Sequence, residues 1–225
     1  MEKKEFSNIE GDFKPKASGI PAKLSGFSSK AFGIIKFILG ISLLPFVYAV
    51  SVAFLNEFSI VEASWQAYFW SGIITLLIIY LFIWEPVIVY TKGQRLLEAF
   101  FNFFKPLLRV APYLLPIYTI ILFIIYSLSS LVIKSSWLLS YSVFLIGFTV
   151  ALHLVFSARS IRSKKGDFLK ANYIFGFSFV YIINLIIVAI FMNILFEKFS
   201  FINFSNNSLQ LAKNIFYTVF KQLFL

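Results

Sequence analysis

The chain has no cysteine and a single histidine, His153, among its 225 residues. Disulfides, thiolate metal centres and cysteine nucleophiles are excluded, and a metal site built on several histidines cannot form within this chain. Charge is scarce as well: 13% of residues are charged, against 60% hydrophobic and 20% aromatic. A soluble domain of this length needs more polar surface than that to cover its core. No Walker loop, glycine-rich nucleotide fingerprint or Ser-His-Asp set is legible. No ring of carboxylates, pair of half-helices or internal repeat marks a carrier.

What is present is a series of long apolar runs separated by short charged gaps, the pattern of an all-α, polytopic membrane helix bundle. A helix needs about 20 apolar residues to cross the hydrocarbon layer. The runs predict about five transmembrane helices, near residues 31–55, 67–90, 111–133, 136–157 and 173–196. Pro45 lies inside the first, and Glu85-Pro86 lies near the end of the second. The sequence has no room for a second folded domain. Residues 1–30 mix Lys, Glu, Ser, Gly and Pro. They read as a disordered cytoplasmic tail able to touch anionic lipid, without the short apolar core of a cleavable signal.

The formal net charge of +10 is distributed as a topology signal. Lys3, Lys4, Lys14, Lys16, Lys23 and Lys30 precede the first run. Lys92, Arg95, Lys105 and Arg109 follow the second, and Arg159, Arg162, Lys164, Lys165 and Lys170 follow the fourth. The intervening segments hold Glu57 and Glu62 but little basic charge, Lys134 excepted. The bias toward positive charge on the cytoplasmic side then places the N-terminus inside and the C-terminus outside, in a cell membrane of prokaryotic type. Basic residues divided among membrane-flanking loops do not make a nucleic-acid surface. The expected partners are the lipid bilayer and other membrane proteins, with no nucleic acid and no cofactor.

Two segments outside the spans are amphipathic. Residues 93–109 carry Arg95, Glu98, Asn102, Lys105 and Arg109 at steps of three and four. At about 100° per residue these fall on one stripe of an interfacial helix. Arg95 and Glu98 are spaced to pair. Residues 198–225 form an outer-face helical tail, with Leu209, Ala212, Ile215, Phe216, Val219, Leu223 and Phe224 on its apolar side. Ser205 or Asn206 is placed to cap it, and it is expected to lie flat on the outer membrane surface, its apolar stripe against the outer leaflet or the bundle and Ala212 shielded. Asn203-Phe204-Ser205 and Asn206-Asn207-Ser208 match the glycosylation pattern, for which chance in an Asn/Ser-rich stretch is the favoured explanation.

The segment Trp84-Glu85-Pro86-Val87-Ile88-Val89-Tyr90 followed by Gly93 to Phe100 resembles the active-site helix of site-2-protease-like intramembrane zinc metallopeptidases, in particular a bacterial branch of them. Gly93 and Ala99 match the ends of a Gly-His-Glu-x-x-His-Ala motif. Ala111-Pro112-Tyr113 with Pro116 and Tyr118, Ile146-Gly147-Phe148-Thr149 with His153-Leu154, Gly166-Asp167, and Ile183-Asn184-Leu185 extend the likeness from about Leu43 to the end. The departures are chemical. Gln94 and Glu98 stand at the zinc-binding histidines and Arg95 at the catalytic glutamate. Gln94 is a poor zinc ligand, and Arg95 cannot act as a base and would repel a metal. The resemblance implies a pseudoenzyme: a non-catalytic pseudo-metalloprotease or helix-binding scaffold subunit, without metal or catalytic residues. Its degenerate active-site face is Gln94, Arg95 and Glu98. A small-solute or lipid transport component is the alternative, with Glu85, His153, Asp167 and Asn184 as the candidate polar cavity beside Arg95 and Glu98. An active intramembrane protease is a distant third. Taken singly, His153 and Asn184 read as hydrogen-bonded packing residues, and Gly147 with Ala151 as a close helix contact.

Overall fold

A computed structural model describes residues 22–83, 86–102, 111–133, 135–163 and 173–224. Among them every regular element is helical. In chain order these are α1 (Ala22–Phe58), α2 (Ala63–Ile78) with a π-helical turn at Ile79–Ile83, and α3 (Val87–Phe100). Then come α4 (Ala111–Leu114), α5 (Ile117–Ser130), α6 (Ser136–Ser163), α7 (Tyr173–Leu195) and α8 (Phe201–Phe224). Four helices, in α1, α2 with its π turn, α6 and α7, are long and apolar enough to cross a membrane. Their outward faces carry large apolar side chains such as Ile34, Ile38, Ile74, Phe82 and Tyr141, each more than half exposed. Exposure on that scale suits lipid, since water-soluble monomers rarely leave large contiguous apolar surface uncovered.

The expected third span is divided. Pro116 supplies no N–H, and the Ile117 N–H turns to the Leu115 carbonyl at 2.9 Å. The helix stops at Leu114 and restarts at Ile117. The restarted piece, α5, has 14 residues, a length of about 21 Å, short of the hydrocarbon thickness by itself. Other boundaries shift too. The start of α1 at Ala22 takes residues 22–30 out of the expected disordered tail. The second span ends at Ile83, so Tyr90 belongs to α3. The amphipathic helix begins at Val87, six residues earlier than expected. Lys105 and Arg109 of its expected stripe lie outside the described residues.

α2 and α6 form the closest pair. A Cβ on Gly72 would run into the backbone of Phe144, and one on Gly147 into the backbone of Phe69. The two glycines therefore let the helix backbones touch, which is how small residues drive association in a bilayer. α1 packs against α7 over its length: Gly40 abuts the Phe175 backbone, and the Ser51 hydroxyl meets the Tyr181 hydroxyl at 2.9 Å. A core of Phe54, Phe58, Phe69, Ile146, Val188, Met192, Phe199 and Phe204 closes the end of the bundle at which α1 finishes. A smaller core of Leu76, Tyr90, Ala151, Leu152 and Phe156 lies toward the α3 end.

The C-terminal helix departs most from expectation. It starts at Phe201, capped by Ser200, whose Oγ accepts the Asn203 N–H at 3.2 Å. Neither Ser205 nor Asn206 is the cap. Asn193 Oδ1 takes the Phe201 N–H at 2.9 Å, and the buried Glu57 carboxylate takes the Ser200 N–H at 3.4 Å. Three acceptors thus meet the positive end of the helix. From there α8 runs antiparallel to α1: Phe204 contacts Phe54, and Phe216 contacts Phe46. The helix thus packs lengthwise on the bundle, with Ala212 buried and Lys213 exposed. The reason is its buried stripe of Phe204, Ser208 and Ala212, which fits α1. Ser208, which completes the second glycosylation match, is buried and donates to the Phe204 carbonyl at 2.7 Å.

Candidate functional site: a polar cluster around the broken helix

The break between α4 and α5 leaves the carbonyls of Tyr113 and Leu114 without their helical N–H partners. In a membrane interior no water replaces such partners, and each must be met by protein. Side chains of the flanking helices meet both. His153 Nε2 of α6 lies 3.0 Å from the Tyr113 carbonyl, and Ser157 Oγ, one turn further, lies 3.3 Å from it. Asn184 of α7 donates Nδ2 to the Leu114 carbonyl at 3.0 Å and to the Val180 carbonyl at 2.8 Å. His153, Ser157 and Asn184 are all buried.

α3 joins the same network. Gln94 Nε2 donates to the Tyr90 hydroxyl at 2.9 Å, and that hydroxyl lies 3.1 Å from Ser157 Oγ. Because the Tyr113 carbonyl only accepts, one proton order satisfies the chain. Gln94 donates to Tyr90, Tyr90 to Ser157 and Ser157 to the carbonyl, while His153 donates to the same carbonyl through a protonated Nε2. The position of α3 follows from Gly93, where a Cβ would sit 2.7 Å from the Tyr118 ring, and from the Tyr118 hydroxyl, which donates to the Val89 carbonyl. Thr119 and Thr149 add a hydroxyl contact of 3.0 Å between α5 and α6. Among the described residues one buried polar side-chain atom has no partner, Asn184 Oδ1.

The residues singled out in the sequence separate in space. Gln94 is half-buried and faces inward, whereas Arg95 and Glu98 are exposed, as is Asn102 beyond them. The buried side of α3 is Tyr90, Gly93 and Leu97. Arg95 and Glu98 form no ion pair with each other, so the expected pairing on the helix does not occur. Their spacing permits it, but on an exposed surface water competes for both charges. His153 and Asn184 lie in the cluster as hydrogen-bonded packing residues, and Gly147 with Ala151 as helix-contact positions. Glu85 and Asp167 lie outside the described residues. No group of three His, Asp or Glu side chains able to hold a metal ion occurs among the described residues.

Tyr90 was quoted only within the segment that carries the resemblance, and Ser157 and the two carbonyls were not singled out. The signal for them is the Pro112 and Pro116 pair inside an apolar run, which announces a broken helix and so a demand for side-chain donors nearby. A narrow pocket reaches the cluster between Tyr90, Gln94, Pro112, Tyr118, Thr149 and His153, with about 10 Å³ available to the centre of a water molecule. That is room for roughly one water. Asn184 does not line it.

No protein-family model, no curated protein and no solved structure matches the chain.

Proposed function

We propose that this chain is a non-catalytic integral membrane protein that holds other membrane proteins through its helices, with α3 as the rebuilt active-site helix of a pseudo-metalloprotease. One observation carries the reading. The Gln94 amide, at the position of a zinc ligand in the metallopeptidase motif, is tied to Tyr90 and through Ser157 to the backbone of a broken helix, while Arg95 and Glu98 point away from that cluster. The polar groups at this depth fasten helices to one another, and the adjoining pocket has room for about one water rather than for a solute. A carrier needs a polar path continuing across the bilayer, whereas this small pocket is lined in part by Leu97, Leu115, Ile117 and Leu152.

In this reading the α3 end faces the cytoplasm, since Lys92, Arg95, Arg159 and Arg162 gather there. α8 returns toward that end along α1. The C-terminus is then directed to the cytoplasmic side, a revision of the outside location inferred from charge alone. The test is purification in mild detergent, with mass spectrometry of co-purifying proteins and metal analysis of the same sample. The reading expects a membrane protein in near-stoichiometric amount and no zinc. Stoichiometric zinc, or a chain that purifies without any other protein while moving a solute into vesicles, would overturn it.

A further inference from the structure

The amide-rich face of α8 packs on no other helix among the described residues. Asn203, Asn207, Gln210, Asn214, Tyr217 and Lys221 follow one another at steps of four, three, four, three and four. That spacing puts all six on one seam of the helix, turned away from the stripe of Phe204, Ser208 and Ala212 that packs on α1. All six are exposed, and none of the side chains of Asn203, Asn207, Gln210 or Asn214 makes a hydrogen bond among the described residues. The depth follows from the ring contacts. Gln210 lies between Phe204, against Phe54, and Phe216, against Phe46. Both α1 residues are inside its apolar run Gly33–Phe58. Lipid tails cannot hydrogen-bond four amides at that level.

We infer that this seam is covered by the same seam of a second copy of the chain, with the two α8 helices parallel across a two-fold axis normal to the membrane. Three observations select a second copy over another occupant. A side-chain amide both donates and accepts, so a ladder of Asn and Gln complements itself, whereas a charged seam would need a partner of opposite sign. The alternation of fours and threes is the period at which two parallel helices keep one seam in register along their length, and buried Asn at such positions favours a pair. Both copies insert with one topology, so a two-fold axis along the membrane normal juxtaposes identical residues at identical depth, as an isologous interface requires. The inference is independent of the reading of the α3 cluster.

The absence of cysteine makes the test direct. Single substitutions Asn207→Cys, Gln210→Cys and Asn214→Cys, with Leu209→Cys and Ile202→Cys on the exposed apolar lane as controls, are oxidised in the full chain reconstituted in lipid vesicles. The expected result is a same-residue disulfide dimer at the three seam positions and little at Leu209 or Ile202, because bridging needs Cβ atoms about 4 Å apart. Single-molecule photobleaching of the cysteine-free chain in the same vesicles should count two copies. Asn207→Leu with Gln210→Leu and Asn214→Leu should weaken the pair roughly tenfold or more, leaving thermal unfolding in detergent unchanged, which separates lost pairing from lost folding. Crosslinking through Leu209 and Ile202 instead of the seam, a single copy by photobleaching, or a triple variant that dimerises as well as the parent would overturn the inference.

Discussion

Two regions of this molecule carry nearly the same amide and hydroxyl chemistry and treat it in opposite ways. Around the α4–α5 break, Gln94, Tyr90, Ser157, His153 and Asn184 are bound to one another or to freed backbone carbonyls. Along α8, Asn203, Asn207, Gln210 and Asn214 have side chains with no hydrogen bond at all among the described residues. The inner cluster follows from covalent chemistry: Pro116 interrupts a helix, and its neighbours supply the missing donors. The α8 seam follows from no local break, because its helix is continuous. A polar group that closes on its own chain is architecture. One left open in a bilayer is an attachment point, because lipid offers it nothing.

The sharpest break of this contrast compares two amides. Asn184→Leu removes the donor to the Leu114 carbonyl in a site with 0% exposure, and the fold should lose about 1–3 kcal/mol. The unpartnered Oδ1 leaves with the side chain, which trims that loss. Asn207→Leu should change the monomer by less than about 0.5 kcal/mol. Denaturation by SDS titration, in a detergent that keeps the chain monomeric, measures both. Equal losses would mean that the α8 amides are as structural as Asn184.

His153→Leu comes next. The Tyr113 carbonyl loses its 3.0 Å donor but keeps the longer contact from Ser157 at 3.3 Å. The expected loss is about 1 kcal/mol, in the range measured for single hydrogen bonds between membrane helices. Tyr90→Phe should be smaller, about 0.5–1 kcal/mol. The ring keeps its stacking on Phe156 at 5.4 Å, and Ser157 can still donate to the carbonyl. If Tyr90→Phe proved costlier than His153→Leu in the same titration, the network would hang on α3 rather than on the break.

The fold was legible in the sequence wherever one length scale decides it. Runs of about 20 apolar residues mark α1, α2, α6 and α7, and the structure has helices there. Pairings were not legible, because any two apolar helices are equally greasy. Gly72 and Gly147 specify the α2–α6 contact only once their backbones are seen to meet. The direction of α8 was missed for a related reason. Its amphipathic pattern says that one side is covered, not whether lipid headgroups or α1 do the covering. The buried site was half legible. His153 and Asn184 stand out as polar residues in apolar runs, whereas Tyr90 and Ser157 are unremarkable until the carbonyls they serve are known to be free of helical partners.

The smallest effect belongs to the face that attracted most attention in the sequence. Arg95 and Glu98 are exposed on α3 and form no pair with each other, so no buried charge is orphaned when either is removed. Exposed pairs at helical spacing contribute about 0.3–0.5 kcal/mol when they form. Arg95→Ala and Glu98→Ala should each shift the unfolding midpoint by less than about 0.5 kcal/mol, and the double variant should equal their sum. A coupling above about 1 kcal/mol in that cycle would show that the two charges meet in the membrane-bound protein, on a face drier than its exposure suggests. Gln94→Ala, one turn from Glu98 but turned inward to Tyr90, supplies the contrast on the same helix. It should exceed either charged substitution, because the Tyr90 hydroxyl then loses its donor inside the cluster. An ordering in which Glu98 outweighed Gln94 would return the weight of α3 to its outward face, and with it the case for a site assembled there.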